Sequence, residues 1–366
     1  MGGARRDPSP SALEGAELLE GVESAAGRES QPIALSSAAP AIQWYPGHIA
    51  KAEKSLAQQL ERVDLVLEVR DARIPLATGH PRLQRWIRGR QHLLVLNRLD
   101  MITPAARQAW TDWFRGREQS VWWCDARAGT GVKQLQQAAA RSCQALNARR
   151  LSRGMRPRPV RALMLGFPNV GKSALINRLV GQKVVESGRR AGVTRSLRWV
   201  RLGQELDLLD APGVLPPRLD DQQAALRLAL CDDIGQAAYD GEQVALALLR
   251  LLGRLAADSA AGVAPGLLER RYGVSVQRSA VGEPAPGLRA SPGGSPPHPG
   301  GERPDGGAAE AVDAAGQASL MGELEAATWL QAAADRHTSG EPARMAQRLL
   351  DDFRRGVLGP IALELP

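Results

Sequence analysis

The chain has 366 residues, enough for two or three domains, and its apolar fraction of 43% supports a sizeable core although aromatic residues make up only 4%. Its formal charge of +8 comes almost wholly from arginine; this suits a polyanionic partner, and an Arg-favouring composition alone produces the same balance. Cys124, Cys143 and Cys231 are far apart and match no zinc or redox spacing, which fits a reducing compartment. No apolar run approaches the roughly eighteen residues of a membrane span. A cytoplasmic protein with no membrane partner is expected.

Residues 1–40 are rich in Ala, Ser, Gly, Glu and Pro, and the acidic residues before Arg28 argue against a transit peptide, so a disordered tail is expected. A helix is predicted from about His48 to Arg62, then a buried strand over Leu65–Val69 with Asp71 and Arg73 at its carboxyl end. A helix around Pro81–Arg88 leads to the strand HLLVLN, which ends in NRLD at Asn97–Asp100. Thr103-Pro104 is a cap-plus-proline start for a helix reaching about Arg115. SVWWCDA (Ser120–Ala126) reads as a short strand and Gly131–Ala148 as a long helix. Arg141–Arg161 carries seven Arg and no acidic residue, and reads as a linker.

The stretch RALMLGFPNVGKSALINRLV, Arg161–Val180, follows. A short apolar strand, the loop GFPNVGKS and an amphipathic helix together fit G-x-x-x-x-G-K-[ST] in its working context. Backbone N–H groups of the loop and of the helix N-terminus face phosphates in such an arrangement. Pro168, Asn169, Val170, Gly171, Lys172, Ser173 and Ala174 are therefore the expected nucleotide-contacting loop residues. Lys172 reaches the β/γ oxygens, and the Ser173 hydroxyl binds Mg²⁺.

A polar turn region (Gln182–Val193) precedes two strands near Leu197–Leu202 and Leu206–Leu209, then DAPG at Asp210–Gly213. Beyond about Asp220 only helical patterns occur, interrupted by a Gly/Pro-rich insert at about 282–317. The expected organisation is a tail (1–40), a nucleotide-binding α/β domain (41–220) and an all-α domain (221–366).

NRLD after an apolar strand selects guanine, because the Asp100 carboxylate can accept from both N1–H and N2–H₂, a pair adenine does not offer. Asn97 supports it. Asp210 would hold Mg²⁺ through water, the Gly213 N–H would meet the γ-phosphate, and Thr194 lies where a switch threonine would join Mg²⁺. CDA (Cys124–Ala126) occupies the place of a base loop whose Ala126 N–H meets guanine O6, with Asp125 where Ser is usual. The order is base motif, base loop, phosphate loop, switch, DxxG. The fold class implied is α/β: a circularly permuted Ras-like P-loop GTPase domain with a six-stranded, mostly parallel sheet, followed by an all-α C-terminal domain.

The chain resembles the YlqF/RbgA-type ribosome biogenesis GTPases. WYPGHIAKA (Trp44–Ala52), DARIP (Asp71–Pro75), NRLD, GFPNVGKS, GVTR and DAPG stand in that family's order, and LLDDFRRGVLGPIALE (Leu349–Glu364) resembles its closing segment. Arg98 stands where Lys is usual in the base motif and can still stack on the base. Val214 replaces the water-positioning Gln after DxxG, so intrinsic hydrolysis should be slow. The resemblance offers His48 as a catalytic residue beside Lys172 and Thr194, and Asn169 as a K⁺ ligand. It implies a monomeric cytoplasmic GTPase that switches between GTP and GDP on a maturing large ribosomal subunit, its C-terminal helices meeting rRNA and ribosomal proteins. The alternative is a signalling or transport GTPase whose helical region binds a protein effector.

Overall fold

The computed structural model of the protein describes residues 41–43, 58–185, 198–211, 213, 219–275 and 322–366. Its apolar runs become central strands because a parallel sheet covered by helices on both faces has no solvent side. β1 (Leu65–Asp71) buries every residue except the half-buried Arg70. Leu65, Leu67 and Val69 enter one core and Val66 the other, as the period of two requires. β2 (Gln91–Asn97), β3 (Val121–Trp123), β4 (Val160–Leu165), β5 (Arg198–Leu202) and β6 (Leu206–Asp210) complete a sheet of order β3-β2-β1-β4-β6-β5. All neighbours are parallel except β5, which forms the expected hairpin with β6. The strand before the phosphate loop is thus central in space although three strands precede it in the chain, which is the circular permutation.

The connecting helices are α1 (Leu83–Ile87), α2 (Pro104–Arg115), α3 (Val132–Leu151) and α4 (Lys172–Val180). Thr103 caps α2, its hydroxyl accepting from the Ala106 N–H at 3.0 Å, with Pro104 in the first turn. Past the sheet come α5 (Gln222–Cys231), α6 (Gly241–Leu255), α7 (Leu267–Tyr272), α8 (Glu323–His337) and α9 (Pro342–Arg354). α9 turns Met345, Ala346, Leu349, Leu350 and Phe353 inward against α6 and α8. The chain then returns to the sheet. The Leu363 and Glu364 N–H groups donate to the Arg73 carbonyl at 3.0 and 3.1 Å, and the Glu364 carboxylate accepts from Leu76 N–H at 2.7 Å. The Trp110 indole donates to the Glu364 carbonyl at 3.1 Å.

Several boundaries differ from the sequence reading. α3 continues to Leu151, so half of the arginine-rich stretch is helix and only residues 152–159 are linker. The helical pattern over 222–239 stops at Cys231, where Asp232 turns left-handed at φ 63° and ends α5; a separate 3-10 turn covers Gln236–Ala238. α1 is shorter than expected. Of SVWWCDA only Val121–Trp123 is strand, because Cys124–Ala126 turn away as the base loop. The predicted helix from His48 lies outside the described residues except for its end, where residues 58–60 are helical.

Candidate nucleotide site

Four loops meet at the carboxyl ends of β1, β2, β3 and β4, the edge where open α/β sheets bind ligands. The buried Asn97 side chain joins three of the site's parts. Its Nδ2 donates to the Val170 carbonyl of the phosphate loop at 2.8 Å, and its Oδ1 accepts the Ala126 N–H of the base loop at 3.1 Å. Gly171, at φ 95°, has no room for a side chain: a Cβ there would stand 2.3 Å from Asn97 Nδ2. Gly213 of DAPG is packed as tightly, since a Cβ would come within 2.6 Å of Pro168 N and Cα.

Lys172 is buried, and its ammonium donates to the Gly166 and Phe167 carbonyls at 3.1 and 2.7 Å. Burial pulls it down to about 8, against the opposing charges of Asp210 and Asp233. Ser173 Oγ lies 3.4 Å from Asp210 Oδ2. A hydroxyl and a carboxylate converging at a phosphate loop are the hard oxygen donors that suit Mg²⁺. Ala174 is half-buried in the first turn of α4.

Asp100 is solvent-exposed in a short 3-10 turn, Leu99–Met101. Partial desolvation, and then the negative Asp125, hold its carboxyl above the ordinary range. Asp125 builds the base loop: its Oδ1 accepts from the Arg127 and Ala128 N–H groups at 2.7 and 3.2 Å. This explains how Asp serves where Ser was expected. Arg178 of α4 donates to the Ala126 and Arg127 carbonyls and braces the same loop. Here the Ala126 N–H donates to Asn97 Oδ1. The Arg98 guanidinium donates to the Asn169 carbonyl at 2.6 Å and pairs with Asp71 at 3.2 Å.

The carboxyl end of α5 gathers side chains from distant motifs. Arg354 of α9 donates to the Ala229 and Leu230 carbonyls at 2.8 and 3.1 Å. Arg73 of DARIP donates to the Cys231 carbonyl at 3.1 Å, and Asn169 of the phosphate loop to the Asp232 carbonyl at 2.6 Å. Four successive carbonyls, at the negative pole of a helix, are therefore held by three side chains. Arg73 is fully buried and also grips Asp71 twice, at 3.0 and 2.7 Å. Burial would raise Asp71, but Arg73 and Arg98 outweigh it and hold it below the usual carboxylate range. Asp233 is the converse. Among the described residues its buried oxygens have no hydrogen-bond partner, Arg98 stands 3.8 Å away, and burial together with Asp71 pushes it well above its ordinary value. Asp71, Cys231 and Asp233 stand close enough to share an ion, but the guanidinium groups of Arg73 and Arg98 supply the positive charge there.

The structure thus brings together Asn97, Arg98, Ala126, Asn169, Val170, Gly171, Lys172, Ser173, Asp210 and Gly213, with Pro168 under Gly213 and Asp100 at the rim. His48 and Thr194 lie outside the described residues. Sequence reasoning missed Arg178, Arg354 and Asp233, whose partners lie 51 or more residues away and leave no local pattern.

A phosphate loop, an aspartate closing the adjacent strand and a base motif bonded to that loop, in this chain order, define a circularly permuted P-loop GTPase. The family described as "50S ribosome-binding GTPase" matches residues 161–248. Ribosome biogenesis GTPase A of Priestia megaterium is 37% identical over 58% of this chain and 74% of its own length. The chain belongs to the ribosome biogenesis GTPase A family and is a GTPase. Mitochondrial GTPase 1 of Aedes aegypti is 32% identical over 58% of this chain and 71% of its own. In fold, GNP-bound YlqF from T. maritima superposes with a TM-score of 0.51 at 18% identity, over 86% of this chain and 98% of that one.

Proposed function

We propose that the protein is a GTP/GDP switch that acts in assembly of the large ribosomal subunit, as a cytoplasmic monomer, engaging the maturing particle through rRNA and ribosomal proteins in one nucleotide state and leaving it in the other. The observation that carries this reading is the Asn169–Asp232 hydrogen bond, which ties the phosphate loop directly to the helical region. Family membership supplies the ribosomal setting. Among the described residues, no helix is long and apolar enough to cross a membrane.

In this reading residues 41–220 form the GTPase domain and 221–366 the helical one. Asp100 reads guanine, and Asn97 locks the base loop to the phosphate loop. Lys172 leaves the loop carbonyls for the β/γ oxygens, while the Gly213 N–H meets the γ-phosphate. Water attacks γ-phosphorus in line, the bond to the β,γ-bridging oxygen breaks, and GDP and phosphate leave. Ser173, Thr194 and Asp210 hold Mg²⁺, which neutralises phosphate charge. With Val214 in place of a glutamine, His48 assists water once the particle is bound. Asn169 serves K⁺ through its side-chain oxygen, since its nitrogen is turned to the Asp232 carbonyl.

The test is the GTPase rate with and without purified large subunits, in K⁺ and in Na⁺. A rise on adding subunits is expected, larger in K⁺. A rate indifferent to subunits would favour a signalling GTPase, and equal rates in the two salts would remove the K⁺ role.

A further inference from the structure

The charge of +8 is unevenly divided. Residues 221–366 contain 13 Arg, no Lys and 19 Asp or Glu, whereas residues 1–220 contain 34 basic and 20 acidic residues. The helical region is net negative, and the positive excess lies in the rest of the chain. It is densest where the permuted chain is joined. From Arg141 to Arg161 there are seven arginines and no carboxylate, and Arg141, Arg149, Arg153, Arg156 and Arg161 are exposed. Of the seven, only Arg158 has an ion-pair partner among the described residues: Asp64 at 2.9 Å.

This segment is a built display rather than a loose loop. The Arg158 N–H and carbonyl are both bonded to the Asn147 side chain at 3.1 Å, which folds the linker back on α3. The Arg150 guanidinium holds the Arg156 carbonyl at 3.2 Å, and the Met155 N–H donates to the Arg150 carbonyl at 2.9 Å. Arg149 and Arg153 stand one turn apart around the end of α3, with Arg156 beyond. The patch flanks the amino end of β4, whereas the phosphate loop leaves the carboxyl end of the same strand, so the two face opposite ends of the sheet.

We infer that this arginine knuckle is a binding surface for the phosphate backbone of double-helical RNA. The inference rests on the proposal that the protein works on an RNA-containing particle. It places a phosphate-binding face on the joint of the GTPase domain. Planar guanidinium groups with unspent donors suit phosphate oxygens, and a pinned backbone lowers the ordering cost of binding. Contacts of this kind position without reading sequence.

The test uses the full chain and its R149A/R153A/R156A variant. Binding to a short RNA duplex of arbitrary sequence is followed by anisotropy across a salt series, together with co-sedimentation with large subunits. Loss of up to three phosphate contacts should weaken duplex binding at least about tenfold and flatten the salt dependence by about 2 to 3 in log–log slope. R149K/R153K/R156K should restore the slope, and GTP turnover without subunits should be unchanged in all three proteins. Unchanged duplex affinity in the alanine variant, or no duplex binding by the parent, overturns the inference. Loss of co-sedimentation with duplex affinity intact assigns the surface to a protein partner and also overturns it. If the parent does not co-sediment with subunits in any nucleotide state, the ribosomal reading fails instead.

Discussion

Asn97→Ala is the most informative single change at the site. It removes two buried hydrogen bonds, of 2.8 Å to the Val170 carbonyl and 3.1 Å from the Ala126 N–H, and leaves both backbone groups unpaired. Each stranded group costs about 1–3 kcal/mol, so about 2–6 kcal/mol is withdrawn from the geometry that holds base loop and phosphate loop together. Part of this should appear as a lower melting temperature and the rest as GDP affinity, where 2.7 kcal/mol is about a hundredfold. Asn97→Asp keeps the acceptor for Ala126 but sets a second oxygen against the Val170 carbonyl, so it should bind no better. Titration of a fluorescent GDP analogue, with thermal unfolding alongside, reads both effects. If Asn97→Ala binds within about threefold of the parent with an unchanged melting temperature, the bridge is incidental. Gly171→Ala presses on the same amide, so its effect should be smaller in the Asn97→Ala background than alone, the left-handed strain at φ 95° remaining.

Three other outcomes are expected. Folding holds a proton on Asp233 where the unfolded chain has released it, so stability should fall as pH rises from the ordinary carboxylate range through the raised pKa. Asp233→Asn should therefore melt higher than the parent at about pH 8 and converge with it in acid; parallel melting curves against pH would show that Asp233 does not titrate in this way. Asp100→Asn offers an amide N–H where guanine presents N2–H₂, so GTP binding should drop about a hundredfold or more while a base with a carbonyl at that carbon gains; competition between GTP and XTP measures it. His48→Ala should lower subunit-stimulated turnover far more than nucleotide affinity, and equal losses would remove it from the chemistry.

The parts of the fold written in local pattern were legible: the apolar runs of β1, β2 and β4, the Thr103-Pro104 start of α2, and the Gly-bounded phosphate loop. Their order alone revealed the permutation. What was not legible depends on pairs distant in the chain. Nothing local in NRLD says that Arg98 pairs with Asp71 and donates to the Asn169 carbonyl. Nothing in the helical pattern after Asp221 says that α5 stops so that four carbonyls can meet Arg354, Arg73 and Asn169. The closing segment falls within the expected all-α domain, yet Leu363 and Glu364 bond to Arg73 and carry the chain after α9 back to the sheet. The charge imbalance was open to counting, but the whole-chain value of +8 conceals it.

These contacts join the nucleotide site to the helical region at the carboxyl end of α5. The most direct measurement of the switch is sucrose-gradient co-sedimentation of the protein with large ribosomal subunits, loaded with a non-hydrolysable GTP analogue or with GDP. Strong co-migration with the analogue and release with GDP is the predicted result. Equal co-migration in both states, or none in either, would contradict the account.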